Sequence, residues 1–381
     1  MQFAIEGYDP SNFGDLLMAA ASIKLANAAV PNSRFFLPRE IPLPPEVGSN
    51  AAEQISWGKP SARRYIFWGR PKSVRKYRVS EPAKSMSGSV VLYCCGYIFG
   101  DFWPRDWIEG LGEDFAALRQ NGNKIVLMPQ SFGPFERPEL AEASLRALEH
   151  VDLIWARDTE SFAHAKKLKP GLPAEALCDY TGALSQVRAP SHSENRICVV
   201  PNIKILEKYG DDAKSRYFDL ISKICKLISE KNRCSIEILK HTATADNRIA
   251  AELAHVLAPL RAKLVEPLDC YDAKRFIANS RFLLSSRFHG LVNGLTQRVP
   301  SLAIGWTHKY DGILEMYGQQ KYSLLPDAPR WDSIVEDFLN NETNIRAELG
   351  VRHASIAASI YPQISRAIAN VASVPSFGKV S

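Results

Sequence analysis

The sequence lacks the patterns that mark several large protein classes. Its cysteines, Cys94, Cys95, Cys178, Cys198, Cys225, Cys234 and Cys270, are odd in number and scattered, with no C-x-x-C pair. That argues against a disulfide framework or a zinc ribbon, and the thiols read as small buried hydrophobes in a reducing compartment. No uninterrupted run approaches the roughly 18 apolar residues of a spanning helix. The opening MQFAIEGYDPSNFGD turns acidic and polar before a secretory core develops, so the expected place is the cytoplasm, extending to the inner face of the cell membrane. G-x-G-x-x-G and G-x-x-x-x-G-K-[ST] are both missing, which leaves dinucleotide and P-loop sites without support. No His/Cys/carboxylate cluster has ligand spacing, so no metal is expected.

What is present is a mildly basic chain of 381 residues, formal charge +6, long enough for two domains that each bury a core. The charge favours anionic partners without naming one. Nucleic acid is not expected, because no Lys/Arg-rich block is interleaved with stacking aromatics. The nearest to one is RRYIFWGRPKSVRKYR (63–78). It reads either as a solvated basic loop or as a surface for anionic headgroups or a lipid-linked phosphate.

Apolar, β-rich runs recur at 2–7, 89–96, 124–130, 153–158, 197–202, 235–240, 282–286 and 301–306. Amphipathic helical patterns lie between them at 16–29, 114–121, 138–150, 161–168, 217–231, 248–260 and 273–280, and another runs from about 332 to 372. Near-continuous apolar strands alternating with such helices predict parallel sheets covered on both faces. The polar stretch QVRAPSHSENR (186–196) is the best boundary. The expected fold is α/β, two Rossmann-like domains facing a cleft, with C-terminal helices packing back. The expected divisions are 1–188, 194–330 and 331–381.

Several strand ends carry chemistry-bearing residues. Asn12, Gly14 and Asp15 lie between the first strand and the first helix, where ligands of open α/β sheets bind; equally, Asp15 could cap the helix and Gly14 make the turn. CCGYIFGDFWPRDW (94–107) offers Tyr97 and other aromatics to a sugar face and Asp101 to its hydroxyls, against the plain reading of an aromatic-packed loop. Gln130 follows another strand in MPQSFGPF. Arg157, in ARDTESF, suits bidentate recognition of a carboxylate or phosphate, or an internal ion pair with Asp158 or Asp179.

SSRFHG (285–290) places Arg287 and His289 beyond a strand and at the start of a helical pattern. Alternation along an extended loop would put both on one side, with Phe288 pointing away. Arginine can hold a multiply charged anion, and histidine can transfer a proton near neutrality. Lys309, in GWTHKYDG after the following strand, could add a second cation.

NFGD, CGYIFGD, PQSFGPF, ARDTES, CDY, SSRFHGLVNGLTQRVPSLAIGW and KYDG, in this order from about residue 5 to 320, resemble the polysaccharide pyruvyl transferase family. Two positions depart from its pattern: Cys95-Gly96 replaces the usual glycine pair, and Asp179-Tyr180 the usual Asp-Pro. The resemblance implies a fold like the GT-B glycosyltransferases. It also implies transfer of pyruvate from phosphoenolpyruvate, a co-substrate with no further cofactor, onto a sugar as a ketal during exopolysaccharide or cell-wall glycan synthesis. His289 matches the family's proposed catalytic histidine and Arg287 its donor-site arginine, with Phe288 between them and Arg157 matching a second donor-binding arginine. The acceptor would be a saccharide, lipid-linked or free. Two rival readings stand beside this one. The first is a GT-B glycosyltransferase using a nucleotide sugar, for which Asp246 and Asp272 are the available carboxylates. The second is a non-catalytic saccharide-binding protein.

Overall fold

The computed structural model describes residues 1–42, 55–57, 77–184, 194–210, 212–242, 245–305, 309–325 and 330–374. Most of the basic stretch 63–78, the boundary residues 186–193 and the last residues of the chain lie outside these. Of the basic stretch, Tyr77 and Arg78 are described, and Arg78 is committed to Asp114, its Nε and Nη2 donating at 2.5 and 2.7 Å.

The strands are β1 (Gln2–Glu6), β2 (Arg34–Leu37), β3 (Ile55–Trp57), β4 (Val90–Tyr93), β5 (Tyr97–Phe99), β6 (Lys124–Phe132), β7 (Leu153–Ala156) and β8 (Ala174–Ala176), then β9 (Glu194–Val200), β10 (Ser235–Leu239), β11 (Lys263–Val265), β12 (Ser280–Ser285), β13 (Ser301–Ile304) and β14 (Ser323–Leu324). Among the described residues they form two sheets. The first has the order β3-β2-β1-β4-β6-β7-β8, with β5 on β6; the second has β11-β10-β9-β12-β13-β14. The pairings are parallel. Strands such as VVLY and KIVLMPQSF are buried on both faces, which is why they read as unbroken apolar runs rather than alternating ones.

Contacts divide the chain into two units. The first holds Met1–Pro10, Asp15–Leu184 and Ala358–Ser381; the second holds Ser11–Gly14 and Ser185–Ala357. In the first, the helix Arg105–Gln120 buries Ile108, Leu111, Phe115 and Leu118, a stripe at helical spacing, against a core that includes Val91, Tyr93, Ile125 and Leu127. In the second, Cys198, Val200, Leu239, Ile277, Leu283 and Val299 form a core on which Phe13 packs. That packing explains why four residues just after β1 count with the second unit. The helix Glu342–Ser373 serves both units. In the second unit, Glu342 accepts from Arg281 at 2.8 Å. In the first, Ser365 Oγ donates to the Leu25 carbonyl at 3.1 Å.

All seven cysteines are free and buried, as their scatter implies. Among the described residues no helix is long and apolar enough to cross a membrane. β2, β3, β5, β8, β11 and β14 are absent from the sequence prediction; each has two to four residues, too few to show a period.

Candidate functional site

Strand order reverses between β9 and β12 in the second sheet, and ligands of open parallel sheets bind beyond the strand ends at such a point. β12 ends at Ser285, and the helix Phe288–Thr296 begins three residues later, with Arg287 as its extended N-cap (φ −102°, ψ 132°). Phe288 and His289 therefore occupy the first helical turn. The extended-loop alternation predicted for Arg287–His289 does not occur, because the helix starts one residue after Arg287. Ser285 Oγ ties the junction, donating to the Arg287 carbonyl at 2.8 Å and accepting from its N–H at 3.2 Å. Gly290 lets the helical turn lie on this serine: a β-carbon there would fall 2.7 Å from Ser285 Oγ.

Ser286 is held from several sides. Its N–H donates to the Val200 carbonyl at 2.9 Å, and its Oγ accepts from Tyr217 at 2.7 Å. Its carbonyl accepts from Tyr310 Oη at 2.6 Å and Asn202 Nδ2 at 3.1 Å. Arg287 makes an ion pair through Nε with the buried Asp246, whose carboxylate also accepts from the Ile203 N–H at 3.1 Å. The Phe288 ring meets Tyr310 edge-on at 6.0 Å. The Lys309 ammonium stands 5.6 Å from the Phe288 ring and 5.7 Å from the Tyr310 ring, close enough for cation–π attraction to both. The N–H groups of a first helical turn add a preference for anions.

The NFG segment closes this site on another side. Asn12 bridges to Thr242 in antiparallel fashion, Phe13 meets the His241 ring at 5.9 Å, and Gly14 lies against the His289 imidazole. Asn12 Oδ1 accepts from the Gly14 N–H at 3.1 Å, fixing the turn. Burial, with Arg287 and His289 as further causes, pushes the His241 imidazole down to about 3. His241 was not singled out from the sequence; the available signal is its place two residues past the end of β10.

In the first unit, Gln130 lies in β6 and is buried, and neither amide atom of its side chain has a hydrogen-bond partner among the described residues. Arg157 follows β7; its Nε donates to Ser131 Oγ at 2.9 Å, and its Nη1 lies 3.6 Å from Asp179 Oδ2, the internal ion pair weighed from the sequence. Asp158 caps the helix Thr159–Leu168, accepting from the Ser161 N–H at 2.7 Å. Asp15 accepts from the Asp9 N–H at 3.1 Å. Tyr97 Oη donates to the Gly133 carbonyl at 2.8 Å, and burial pushes its phenol up to about 12. The Asp101 carboxylate accepts from the N–H groups of Glu136 and Arg137 at 2.6 and 3.2 Å. Tyr97 and Asp101 thus pin the loops at the end of β6. The aromatics of this loop pack on one another, Trp103 stacking on Trp107 at 5.2 Å.

Residues 12–308, which include Asn12–Gly14, His241, Asp246 and Arg287–His289 and end just before Lys309, match the polysaccharide pyruvyl transferase family. The chain belongs to that family. A comparison with curated proteins finds no match. Among solved structures, the chain is similar to S. aureus MnaA in its UDP co-structure (14% identity, TM-score 0.55, 97% of this chain and 95% of that one). It is also similar to UDP-GlcNAc 2-epimerase from Methanocaldococcus jannaschii (9% identity, TM-score 0.54, 89% and 92%). A match to the Gap123 complex from Streptococcus agalactiae (12% identity, TM-score 0.45) covers 76% of this chain and 55% of that one, so this family member spans about half the length of that relative. The GT-B-like fold expected from the sequence stands: two parallel α/β sheets and a long C-terminal helix. In this pyruvyl transferase family member, a guanidinium oriented by a buried carboxylate, an ammonium and a helix N-terminus could hold a compact polyanion beside an imidazole able to move a proton.

Proposed function

We propose that the protein moves pyruvate from phosphoenolpyruvate onto two hydroxyls of one sugar, forming a cyclic ketal in a polysaccharide or its precursor. The observation that carries this reading is Arg287 and His289 placed one on each side of a helix start, at the strand-order reversal of the second sheet, in a member of this family. Arg287 and Lys309 neutralise the carboxylate and phosphate, while Phe288 holds the pair in place. His289 donates a proton to the methylene carbon, and C2 gains oxocarbenium character. A first sugar hydroxyl bonds to C2 and its proton returns to the imidazole. The C2–O bond to phosphate then breaks with its electron pair going to phosphate. The second hydroxyl closes the ring and releases the second proton, which phosphate takes up. One hydroxyl proton therefore ends on the new methyl group and the other on phosphate, so the step needs no external acid. Cations near the departing phosphate favour this sequence, since charge accumulates there.

For the acceptor, Gln130 is a first-unit residue whose side-chain amide has hydrogen-bonding capacity to offer a hydroxyl, whereas Asp101 and Tyr97 support the loop around it. Arg157 is proposed as the second donor arginine, its Asp179 contact serving to aim it. A lipid-linked acceptor at the inner membrane face fits the basic charge of the chain. The nucleotide-sugar alternative looked to Asp246 and Asp272. Asp246 is engaged by Arg287, and Asp272 accepts from the Leu268 N–H at 3.0 Å.

The test is incubation of purified protein with phosphoenolpyruvate and a panel of galactose-, glucose-, mannose- and ManNAc-type acceptors. Acceptor-dependent phosphate release and a ketal methyl signal in the product are expected. Hydrolysis or transfer from a nucleotide sugar instead would establish the glycosyltransferase alternative.

A further inference from the structure

His241 is a buried imidazole, 1% exposed, and neither of its ring nitrogens has a hydrogen-bond partner among the described residues. A neutral imidazole brings one donor and one acceptor. Leaving both unmet in the interior is unfavourable, so such a residue calls for an occupant.

Strand register shows where that occupant would sit. Ile238 of β10 pairs with Val199 of β9, which pairs with Leu284 of β12. Three residues beyond this row come His241, Asn202 and Arg287. His241 therefore stands in line with Arg287 past the ends of adjacent strands, with Asn202 between them. Asn202 is already spent on the Ser286 carbonyl and on the Lys204 N–H at 3.0 Å. Residues Asn12–Gly14 touch both histidines, with Phe13 on His241 and Gly14 on His289. One strip of chain thus touches both His241 and His289, and strand register puts Arg287 in the same row as His241.

Building on the donor reading above, we infer that His241 is a further donor-site residue whose ring N–H donates to an oxygen of bound phosphoenolpyruvate beside Arg287 and His289. A carboxylate or phosphate oxygen is an acceptor that this donor does not find among the described residues. Burial, with Arg287 and His289 as further causes, keeps the ring neutral by pushing it down to about 3. It then adds a directed hydrogen bond without adding charge, and it complements the point charge of Lys309 and the fork of Arg287.

The experiment uses full-length protein labelled with 15N-histidine, titrated with phosphoenolpyruvate. The His241 ring signals are assigned by their loss in whichever of His241→Gln and His241→Phe folds, and phosphate release is measured alongside for both variants. The expected result is a shift of the wild-type His241 ring signals on saturation. His241→Phe should raise the phosphoenolpyruvate KM roughly ten-fold with the acceptor KM unchanged, and His241→Gln, which keeps an N–H donor, should recover part of that loss. Wild-type protein that binds phosphoenolpyruvate while its His241 signals stay still overturns the inference and leaves the donor reading intact. Wild-type protein that binds no phosphoenolpyruvate overturns both. The wild-type titration decides the matter even if a variant fails to fold.

Discussion

Gly14 and His289 are in such close contact that a β-carbon on Gly14 would fall 2.9 Å from the His289 β-carbon and would overlap the ring itself. The two residues are 275 positions apart, and the glycine supplies the flat surface against which the imidazole rests. Gly14 lies in the first turn of the helix Phe13–Ala29, where alanine is a better helix former by about 1 kcal/mol. Gly14→Ala is therefore expected to leave the melting temperature nearly unchanged while displacing His289. Misplacement of a reacting group by about 1 Å costs roughly 100-fold, and a fall of that order in phosphate release is the predicted outcome. Equal activity in the variant would show that the His289 position is not set by this contact.

The Asp246–Arg287 pair predicts a combined loss of stability and donor affinity. Asp246 is 1% exposed and also serves the Ile203 N–H. Removing one partner of a buried pair costs roughly 3–5 kcal/mol, so Asp246→Ala should lower the denaturation midpoint clearly. The untethered guanidinium should also bind phosphoenolpyruvate about ten-fold more weakly. Chemical denaturation and calorimetric titration read the two effects separately.

Gln130→Leu is expected to move stability and acceptor use in opposite directions. The buried amide has no partner among the described residues, and replacing an unmet polar group by an apolar one of similar size removes a penalty of about 1 kcal/mol or more. If the amide serves an acceptor hydroxyl, the variant should melt higher and yet show a raised acceptor KM, with the phosphoenolpyruvate KM unchanged. A lower melting point with normal acceptor kinetics would make Gln130 a structural residue.

Glu6 gives the fold a pH dependence. Burial pushes its carboxyl up from 4.5 to about 7, opposed by hydrogen bonds donated by Ser80 Oγ and N–H at 2.6 and 3.2 Å. A folded value above the unfolded one means that the folded state holds the proton more tightly. The resulting stabilisation is complete below about 4.5, declines as pH rises through about 7, and is absent above it. Glu6→Gln removes that dependence, so the stability of the variant relative to wild type should rise between pH 4.5 and 7.5. Melting curves of both proteins across that range check this, and parallel curves would contradict it.

The sequence carried the parallel sheets because strands buried on both faces leave apolar runs such as VVLY and SLAI, and amphipathic helices between them leave a 3.6-residue period. It could not show that Phe13 packs on the core cluster that includes Cys198, Leu239 and Leu283, since that packing joins distant segments and leaves no local signature. SSRFHG stood out as a candidate site because arginine and histidine interrupt an apolar context. The start of the helix at Phe288 was not, because helix boundaries depend on backbone geometry such as the Ser285–Arg287 bonds. Tyr97 and Asp101 looked like sugar contacts from residue type alone. Their hydrogen bonds to the backbone at Gly133, Glu136 and Arg137 come from a turn whose closure no spacing rule reveals. His241 was silent for a related reason: a lone histidine after a strand becomes informative once its unmet nitrogens and its register with Arg287 are known.

The central claim is that His289 delivers the proton that opens pyruvyl transfer. It is tested most directly by acceptor-dependent phosphate release from phosphoenolpyruvate in wild type and His289→Gln, with phosphoenolpyruvate binding measured on the same samples. The account predicts that the variant folds and binds phosphoenolpyruvate within a few-fold of wild type, while turnover falls by about 100-fold or more. A variant that binds and turns over like wild type would contradict it.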